Sequence, residues 1–381
     1  MITELCTGCG ACVNICPNHA IDYVEGDAGS RIAKINLEKC IDCKLCYKTC
    51  PQNNFSKLPL NEIHDSFLCE SKCIEVIKKS TSGGAFFEIA SHIISNGGYV
   101  FGVVIDDSFN VFHISTNNFH DLNRITKSKY AQSDTKNTFL EAKEKLDQGY
   151  IVLYSGTPCQ IAGLKSFLRR DYENLFTVDF LCHGVPSVRI LKDHIKYLNS
   201  KNEKISNLIF RDKNPDLEPE WVFSFVKNSK RIVYNYSTDA YLKAFIDSNS
   251  LSNACYNCKY SNTKRISSIT VGDSWSSNQV IYKSLILIND DKGSLLFDEV
   301  KKNLKFVPIN IEKVIEKRGI LQHPSIPKDI NMMNLLRNPK NYKIYFDRFY
   351  KSRYYKIHKI FEKLPYKIKK MIRKIRLKNE K

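Results

Sequence analysis

A mixed α/β fold, with a small cysteine-rich module in front and a basic helical tail behind, is the architecture this sequence predicts. Three observations point to it. Eight cysteines fall within the first fifty residues in two copies of one spacing. From about residue 80, apolar stretches alternate between helical and strand periodicity, the pattern of layered helices on a partly parallel sheet. From Lys351 to the end, thirteen Lys/Arg face only Glu362 and Glu380.

The 381 residues suffice for one sizeable domain plus a small one. With 43% hydrophobic and 26% charged residues, most of the chain can bury a core. No apolar run reaches the roughly 18–20 residues of a membrane-spanning helix, and Met1–Cys6 lacks the basic and apolar regions of a signal peptide. The chain reads as cytoplasmic. Collagen, coiled coil, secreted disulfide scaffold and integral membrane protein are excluded. The net charge of +18 lies mostly in the tail, so it does not argue for nucleic acid as a specific partner.

Fourteen cysteines under reducing conditions suggest metal or redox chemistry over disulfides. Cys6, Cys9, Cys12 and Cys16 form C-x2-C-x2-C-x3-C before Pro17, and Cys40, Cys43, Cys46 and Cys50 repeat it before Pro51. Three thiolates on a tight loop wrap one cubane, while the fourth, before proline, reaches the other cluster. The first 4Fe–4S cluster is therefore expected on Cys6, Cys9, Cys12 and Cys50, the second on Cys40, Cys43, Cys46 and Cys16. Gly8 and Gly10 suit a loop whose amides approach cluster sulfurs. Zinc is the alternative, but zinc ribbons use C-x2-C pairs without a fourth Cys-Pro.

Residues 1–58 thus read as a ferredoxin module stabilised by its clusters, and 59–78 as a linker. Residues 79–325 form the α/β domain. Ser82-Gly83-Gly84 precedes a helix, Ala85 to Ser95, with Phe86, Ile89, Ala90, Ile93 and Ile94 on one side, and Asn96-Gly97-Gly98 ends it. A strand follows over Tyr99–Ile105, then a helix near Thr138–Gln148, a strand Tyr150–Tyr154 and a helix Gln160–Arg169. Strand Leu175–Leu181 leads to a helix from Ser187 to about Leu198. Trp221–Val226 and Arg231–Tyr236 read as a β-hairpin. Pro324 and Pro327 are expected to end the globular part, leaving 326–381 as the tail.

Cys159 and Cys182 both fall just past predicted strands, where open α/β sheets place ligands. With the pair Cys255 and Cys258 they would supply four ligands for a third cluster. Two structural cysteines with a chance pair, or half a zinc site completed by His183, are the alternatives. Cys69 and Cys73 read as structural.

Ser80-Thr-Ser-Gly-Gly84, Gly156-Thr-Pro-Cys-Gln160, Cys182-His-Gly184, the Cys255/Cys258 pair and Gly272-Asp-Ser-Trp275 occur in that order behind the ferredoxin module. In this the chain resembles the coenzyme F420 hydrogenase/dehydrogenase beta-subunit family, from Cys6 to about residue 310. That family includes flavoprotein subunits acting on a deazaflavin, a plant chlorophyll reductase that uses none, and bacterial members from polysaccharide-synthesis settings. The resemblance implies an α/β (α+β) flavin-binding domain holding FAD and a third 4Fe–4S cluster on Cys159, Cys182, Cys255 and Cys258. It implies flavin contacts at Ser82, Gly83, Gly84, Gly156 and Thr157, and at Lys129, Tyr130, Gln132 and Ser133 in Lys129-Tyr-Ala-Gln-Ser133. Ser268 stands where an Asp is common and Ser274 where an aromatic residue is expected, so use of F420 itself stays open.

The function this implies is an iron–sulfur flavoprotein oxidoreductase joining an electron-donor or acceptor protein to a small-molecule substrate, in either direction. The alternative is a non-catalytic relay for a partner enzyme. No acid or base stands out. His183, Lys129 and Tyr130 are the candidates, each with a bland counterpart as loop, surface or packing residue. Lys127 could pair with a phosphate, Asp179 could face either way, and Asp273 reads as a cap. In the tail, Ile357, Ile360, Phe361, Leu364, Ile368, Met371, Ile372 and Ile375 alternate with Lys/Arg around Pro365. Residues 351–381 thus suit peripheral contact with an anionic membrane surface or an acidic partner, or a solvated charge run.

Overall fold

The computed structural model describes residues 3, 5–199, 203–213, 221–273, 283–318, 320–327, 329–364 and 368. Thirteen strands are described: β1 Ile21–Glu25, β2 Arg31–Ile35, β3 Asp65–Ser71, β4 Tyr99–Ile105, β5 Val111–Thr116, β6 Val152–Ser155, β7 Leu175–Phe180, β8 Ile205–Lys213, β9 Trp221–Lys227, β10 Lys230–Asn235, β11 Ile269–Asp273, β12 Ser284–Ile288 and β13 Leu304–Pro308. Eight of them make one sheet in the order β13-β3-β12-β11-β7-β6-β4-β5. Its middle, β11-β7-β6-β4, is parallel, and the flanking pairs are antiparallel. The carboxyl ends of β6, β7 and β11 therefore open on one edge, the place such sheets give to ligands.

Local sequence explains the elements that carry this edge. The helix Ala85–Ser95 buries Ala85, Ile89, Ala90, Ile93 and Ile94, a stripe at helical spacing, against the sheet. Helix Pro158–Leu168 starts on a capping box, with Thr157 accepting from the Gln160 amide and Pro158 in its first turn. It packs on the other face with Thr138–Asp147. Strands β6 and β7 are apolar on both faces because helices cover both sides.

The first module is a β1-β2 hairpin with two short helices, Ala11–Ile15 and Leu45–Thr49. Its own apolar cluster is small, and Cys9 and Ala11 belong to the core of the large domain. Polar ties complete the docking. Arg31 N donates to Gln132 Oε1 at 2.7 Å, Gln132 Nε2 donates to Thr7 O at 3.2 Å, and Asn14 Nδ2 donates to Lys136 O at 2.8 Å. Gly10 sits at φ +92°, and a Cβ there would lie 2.0 Å from Thr135 Oγ1. Gly10→Ala is therefore expected to cost about 1–3 kcal/mol and loosen the docking. Faster proteolysis within residues 59–64, with the large domain left intact, is the readout.

Three expectations need correction. Residues 59–78 are not simply a linker, because β3 lies inside them and pairs with β12 on one side and β13 on the other. The hairpin β9-β10 is part of a three-stranded sheet, with β8 beside β9. Nor does the globular part end at Pro324 and Pro327. Helices Ile330–Arg337 and Tyr342–Lys351 bury Leu336, Tyr342, Tyr345, Phe346 and Phe349 in the core that also holds β8 and β9. Their spacing at i, i+3, i+4 and i+7 from Tyr342 is an amphipathic stripe, overshadowed in the sequence by the charge that follows.

Candidate redox centre

Cys6, Cys9, Cys12 and Cys50 line one cavity of about 340 Å³ together with Gly8, Gly10, Tyr23 and Ala33. Cys50 comes from the second copy of the motif and the other three from the first. Cys46 is surrounded by Cys16, Cys40 and Cys43. Amides point at these sulfurs: Ala33 N lies 3.4 Å from Cys6 Sγ, and Ala20 N lies 3.3 Å from Cys16 Sγ. Among the described residues no three His, Cys, Asp or Glu converge closely enough for a lone metal ion. Sulfurs rimming a cavity suit a polynuclear cluster better than tetrahedral zinc.

Exposure grades across the module. Cys43 is exposed, whereas Cys9, Cys12 and Cys50 are buried. Burial pushes the Cys9 and Cys12 thiols up, with neighbouring sulfurs adding to the effect. Four thiolates sharing such a site need positive charge between them, which iron supplies.

The other four cysteines meet at the carboxyl edge of the sheet. Cys159 follows β6, Cys182 follows β7, and Cys255 and Cys258 flank the short turn after helix Ala240–Ile246. Each sulfur feels the others: Cys182 is pushed up by burial, then by Cys255, Cys159 and Cys258. Burial also raises Cys159 to about 11 and Cys255 to about 12. Thr157 Oγ1 lies 3.1 Å from Cys159 Sγ, and the Gly184 amide faces Cys182. Gly184 sits at φ +125°, and a Cβ there would meet Leu251 Cδ1 at 2.8 Å.

The two sets of sulfurs are neighbours. Tyr260 lies among Cys159, Cys9, Cys258 and Cys50 and takes a hydrogen bond from Gln52 Nε2 at 3.3 Å. Gly163 leaves room for Cys9, whose Sγ would be 3.0 Å from a Cβ at that position.

Further along the same edge, the Ser82–Gly84 loop rests on β12. Ser82 Oγ is 2.9 Å from Ser284 Oγ, and Gly83 N donates to Ser284 Oγ at 3.0 Å. Gly84, at φ +89°, opens helix Ala85–Ser95. Four cations gather here. Lys213 Nζ donates to Ser82 O at 2.8 Å, Arg211 pairs with Asp273, and Lys127 lies 3.9 Å from Asp212. Lys129 Nζ donates to Arg124 O at 2.9 Å and to Thr126 O. Burial, then the Lys127 charge, lowers Lys129 to about 7, and burial with Arg211 and Lys127 lowers Lys213 to about 7.

Tyr130 bridges the two regions. Its ring stacks on Phe245 at 4.6 Å and bonds Arg211, and Phe245 meets the His183 ring edge-on at 5.1 Å. His183 itself is spent on its loop: Nε2 is 3.2 Å from Phe245 O and 3.2 Å from Ser248 Oγ, and burial lowers its pKa.

The nine residues named as flavin contacts thus do not form one group. Ser82, Gly83, Gly84, Lys129 and Tyr130 surround the cationic loop. Gly156 and Thr157 adjoin Cys159. Ser133 accepts from Gln160 Nε2 at 3.0 Å, and Gln132 is turned to the first module, a correction to its expected flavin contact. Asp179 faces inward to Arg265 at 2.9 Å, and Asp273 is an ion-pair partner rather than a cap. The Ser268 amide donates to Thr177 Oγ1 inside the sheet, away from the loop. Ser274 and Trp275 lie outside the described residues. Arg211, Lys213, Ser284, Phe245 and Tyr260 escaped the sequence reading. The alternation in β8 was the one available signal for the first two.

Comparisons with known proteins agree with this layout. Residues 150–313 match the family described as the C terminus of the coenzyme F420 hydrogenase/dehydrogenase beta subunit, and residues 5–54 match a 4Fe-4S dicluster domain. A coenzyme F420-dependent sulfite reductase of Methanocaldococcus jannaschii is 26% identical over 198 residues, covering 51% of this chain and 30% of that protein. An uncharacterized polyferredoxin-like protein of the same organism is 39% identical over 59 residues, 13% of this chain and 35% of the relative. The chain thus spans about a third of the length of these two curated relatives. A chain of the F420-reducing NiFe hydrogenase complex of Methanosarcina barkeri aligns with a TM-score of 0.47 and 17% identity, over 76% of this chain and 93% of that one. No helix among the described residues is long and apolar enough to cross a membrane. With its beta-subunit domain set behind a dicluster domain, the chain belongs to the coenzyme F420 hydrogenase/dehydrogenase beta-subunit family.

Proposed function

We propose that this chain is an iron–sulfur flavoprotein oxidoreductase acting on a small-molecule substrate. The observation that carries the proposal is the single sheet edge on which the Cys159, Cys182, Cys255 and Cys258 sulfurs lie between the ferredoxin sulfurs and the cationic Ser82–Gly84 loop. Two clusters would sit on the N-terminal cysteines in the crossed arrangement, and a third on the four sheet-edge cysteines. Bound here, the clusters would supply one-electron transfer and FAD the pairing of two electrons.

The residues around the loop fit the FAD pyrophosphate. A helix N-terminus opened by Gly83-Gly84 presents bare amides, and Arg211, Lys213 and Lys127 supply countercharge. Tyr130 and Phe245 provide a flat apolar wall beside it. The buried sulfurs and their amide donors exclude water from the path between the two regions.

This reading has a pH signature. Lys129 and Lys213 are charged below about 7 and neutral above it. Their buried charge opposes folding at acid pH, so the unliganded chain gains stability as pH rises through 7 toward the usual lysine range. A bound pyrophosphate favours the charged form, so its affinity should fall between pH 6 and pH 8.5. Calorimetric titration with inorganic pyrophosphate at the two values measures this, and an unchanged or rising affinity would remove the loop as an anion seat.

The proposal as a whole is tested on anaerobically purified protein. About twelve irons and about one FAD per chain, with flavin reoxidised by an added small molecule, support it. About eight irons with no flavin after reconstitution would reduce the chain to a ferredoxin joined to another domain. A relay for a partner enzyme is the second reading. It is favoured by the exposed Leu37, Ile41 and Tyr47 around the exposed Cys43 side of the module, and by the fraction of the sulfite reductase the chain covers. Reoxidation only by a co-purifying protein would select it.

A further inference from the structure

Helix Arg353–Glu362 buries none of its residues, yet one side of it is tied down. Glu362 accepts from Thr238 Oγ1 and, at 2.9 Å, from Lys359 Nζ. Lys359 also lies over the Tyr234 ring, and Tyr355 packs against Phe349 and Tyr350. These contacts decide which side faces out. It carries Arg353, Lys356 and Lys363, all exposed, with Ile357 at 52% and Ile360 at 65% exposure. The single acid of the helix is turned to the body, so the outer face combines cations with bare isoleucines and no negative charge.

The sequence continues this composition. After Leu364 come eight Lys/Arg and the apolar Ile368, Met371, Ile372, Ile375 and Leu377, against Glu380 alone. Cations would serve any polyanion. Exposed isoleucines interleaved with them fit a partner that also offers a hydrocarbon layer, the recognition chemistry of an anionic bilayer surface. We propose that this face docks the protein on an anionic lipid membrane, with helix Arg353–Glu362 lying in the interface and Ile357 and Ile360 pointing into it. Nothing in the redox reading requires this attachment, and the two stand or fall separately.

The test is co-sedimentation of the full holoprotein with vesicles of phosphatidylglycerol in phosphatidylcholine and with pure phosphatidylcholine vesicles. Binding to the anionic vesicles and little to the neutral ones is expected. Ile357→Ser with Ile360→Ser should weaken that binding at least about tenfold, and Lys356→Gln about fivefold. Both changes lie on the surface, so iron content and circular dichroism should match the parent chain. Binding to heparin should be unchanged in the isoleucine variant. Three outcomes overturn the proposal: no preference for anionic vesicles, full vesicle binding by the isoleucine variant, or stronger retention on duplex DNA than on vesicles at equal salt. The last would mark a nucleic-acid surface.

Discussion

Replacing Cys182 with serine is expected to lower bound iron from about twelve to about eight atoms per chain, with the ferredoxin signals retained. Cys182 leaves β7 at the carboxyl edge of the sheet and shares its site with Cys159, Cys255 and Cys258. A serine hydroxyl is a poor ligand for iron–sulfur chemistry, and the loop conformation rests on Gly184 rather than on the thiol. Flavin content should persist, because the cationic loop is built from other residues. Electron delivery from the ferredoxin side to the flavin should be lost. Iron analysis with electron paramagnetic resonance separates the two effects, and an unchanged count of about twelve would refute a third cluster on these cysteines. Cys50→Ser is the companion case, since it should disturb the cavity shared with Cys6, Cys9 and Cys12 while sparing the sheet edge.

Arg265→Met should be among the most damaging single changes for stability, at about 3–5 kcal/mol. Arg265 is 2% exposed and its partner Asp179 is fully buried. The guanidinium reaches Asp179 Oδ2 at 2.9 Å, Thr270 Oγ1 at 3.0 Å and Tyr260 O at 3.1 Å. Its backbone also exchanges two 2.8 Å hydrogen bonds with Asn61, where the chain enters the large domain. Removing the guanidinium strands a carboxylate inside the sheet. The double variant Arg265→Met with Asp179→Leu should recover much of the loss, because neither charge is then left alone. Urea unfolding of the single and double variants checks both statements. A loss no larger than that of a surface substitution would mean that the pair is not held apart from water.

The parts of this design that announce themselves in sequence are those in which chemistry fixes spacing. Iron–sulfur ligation imposes C-x2-C-x2-C-x3-C-Pro, so eight ligands and their crossed pairing could be written from the cysteines alone. Helix Ala85–Ser95 and β4 were legible because a capping glycine pair and strong periodicity bound them closely. The strand β3 was not, since Asp65-Ser-Phe-Leu-Cys-Glu-Ser71 is no more apolar than many loops, and it is sheet only because β12 and β13 flank it. Site composition follows the same division. Cys159 and Cys182 could be placed at strand ends, but Arg211 and Lys213 reach the loop from a separate sheet, a proximity set by tertiary packing. Gln132 sits in a stretch whose polar residues look alike in sequence, and only the docked ferredoxin separates its role from that of Ser133.

The placement of β3 also dictates an order of assembly on the ribosome. A ferredoxin module of 58 residues can wrap its cysteines as soon as it emerges, because all eight lie within local reach. The eight-stranded sheet has no such freedom: β3, near residue 70, must wait for β12 at Ser284–Ile288 and β13 at Leu304–Pro308. Contacts that span more than two hundred residues make closure slow relative to local folding. Cys159, Cys182, Cys255 and Cys258 are brought together by that same sheet, so they come within reach of one another late. Nascent chains should therefore acquire iron in two episodes, an early one at the amino terminus and a second after nearly the whole polypeptide has been made.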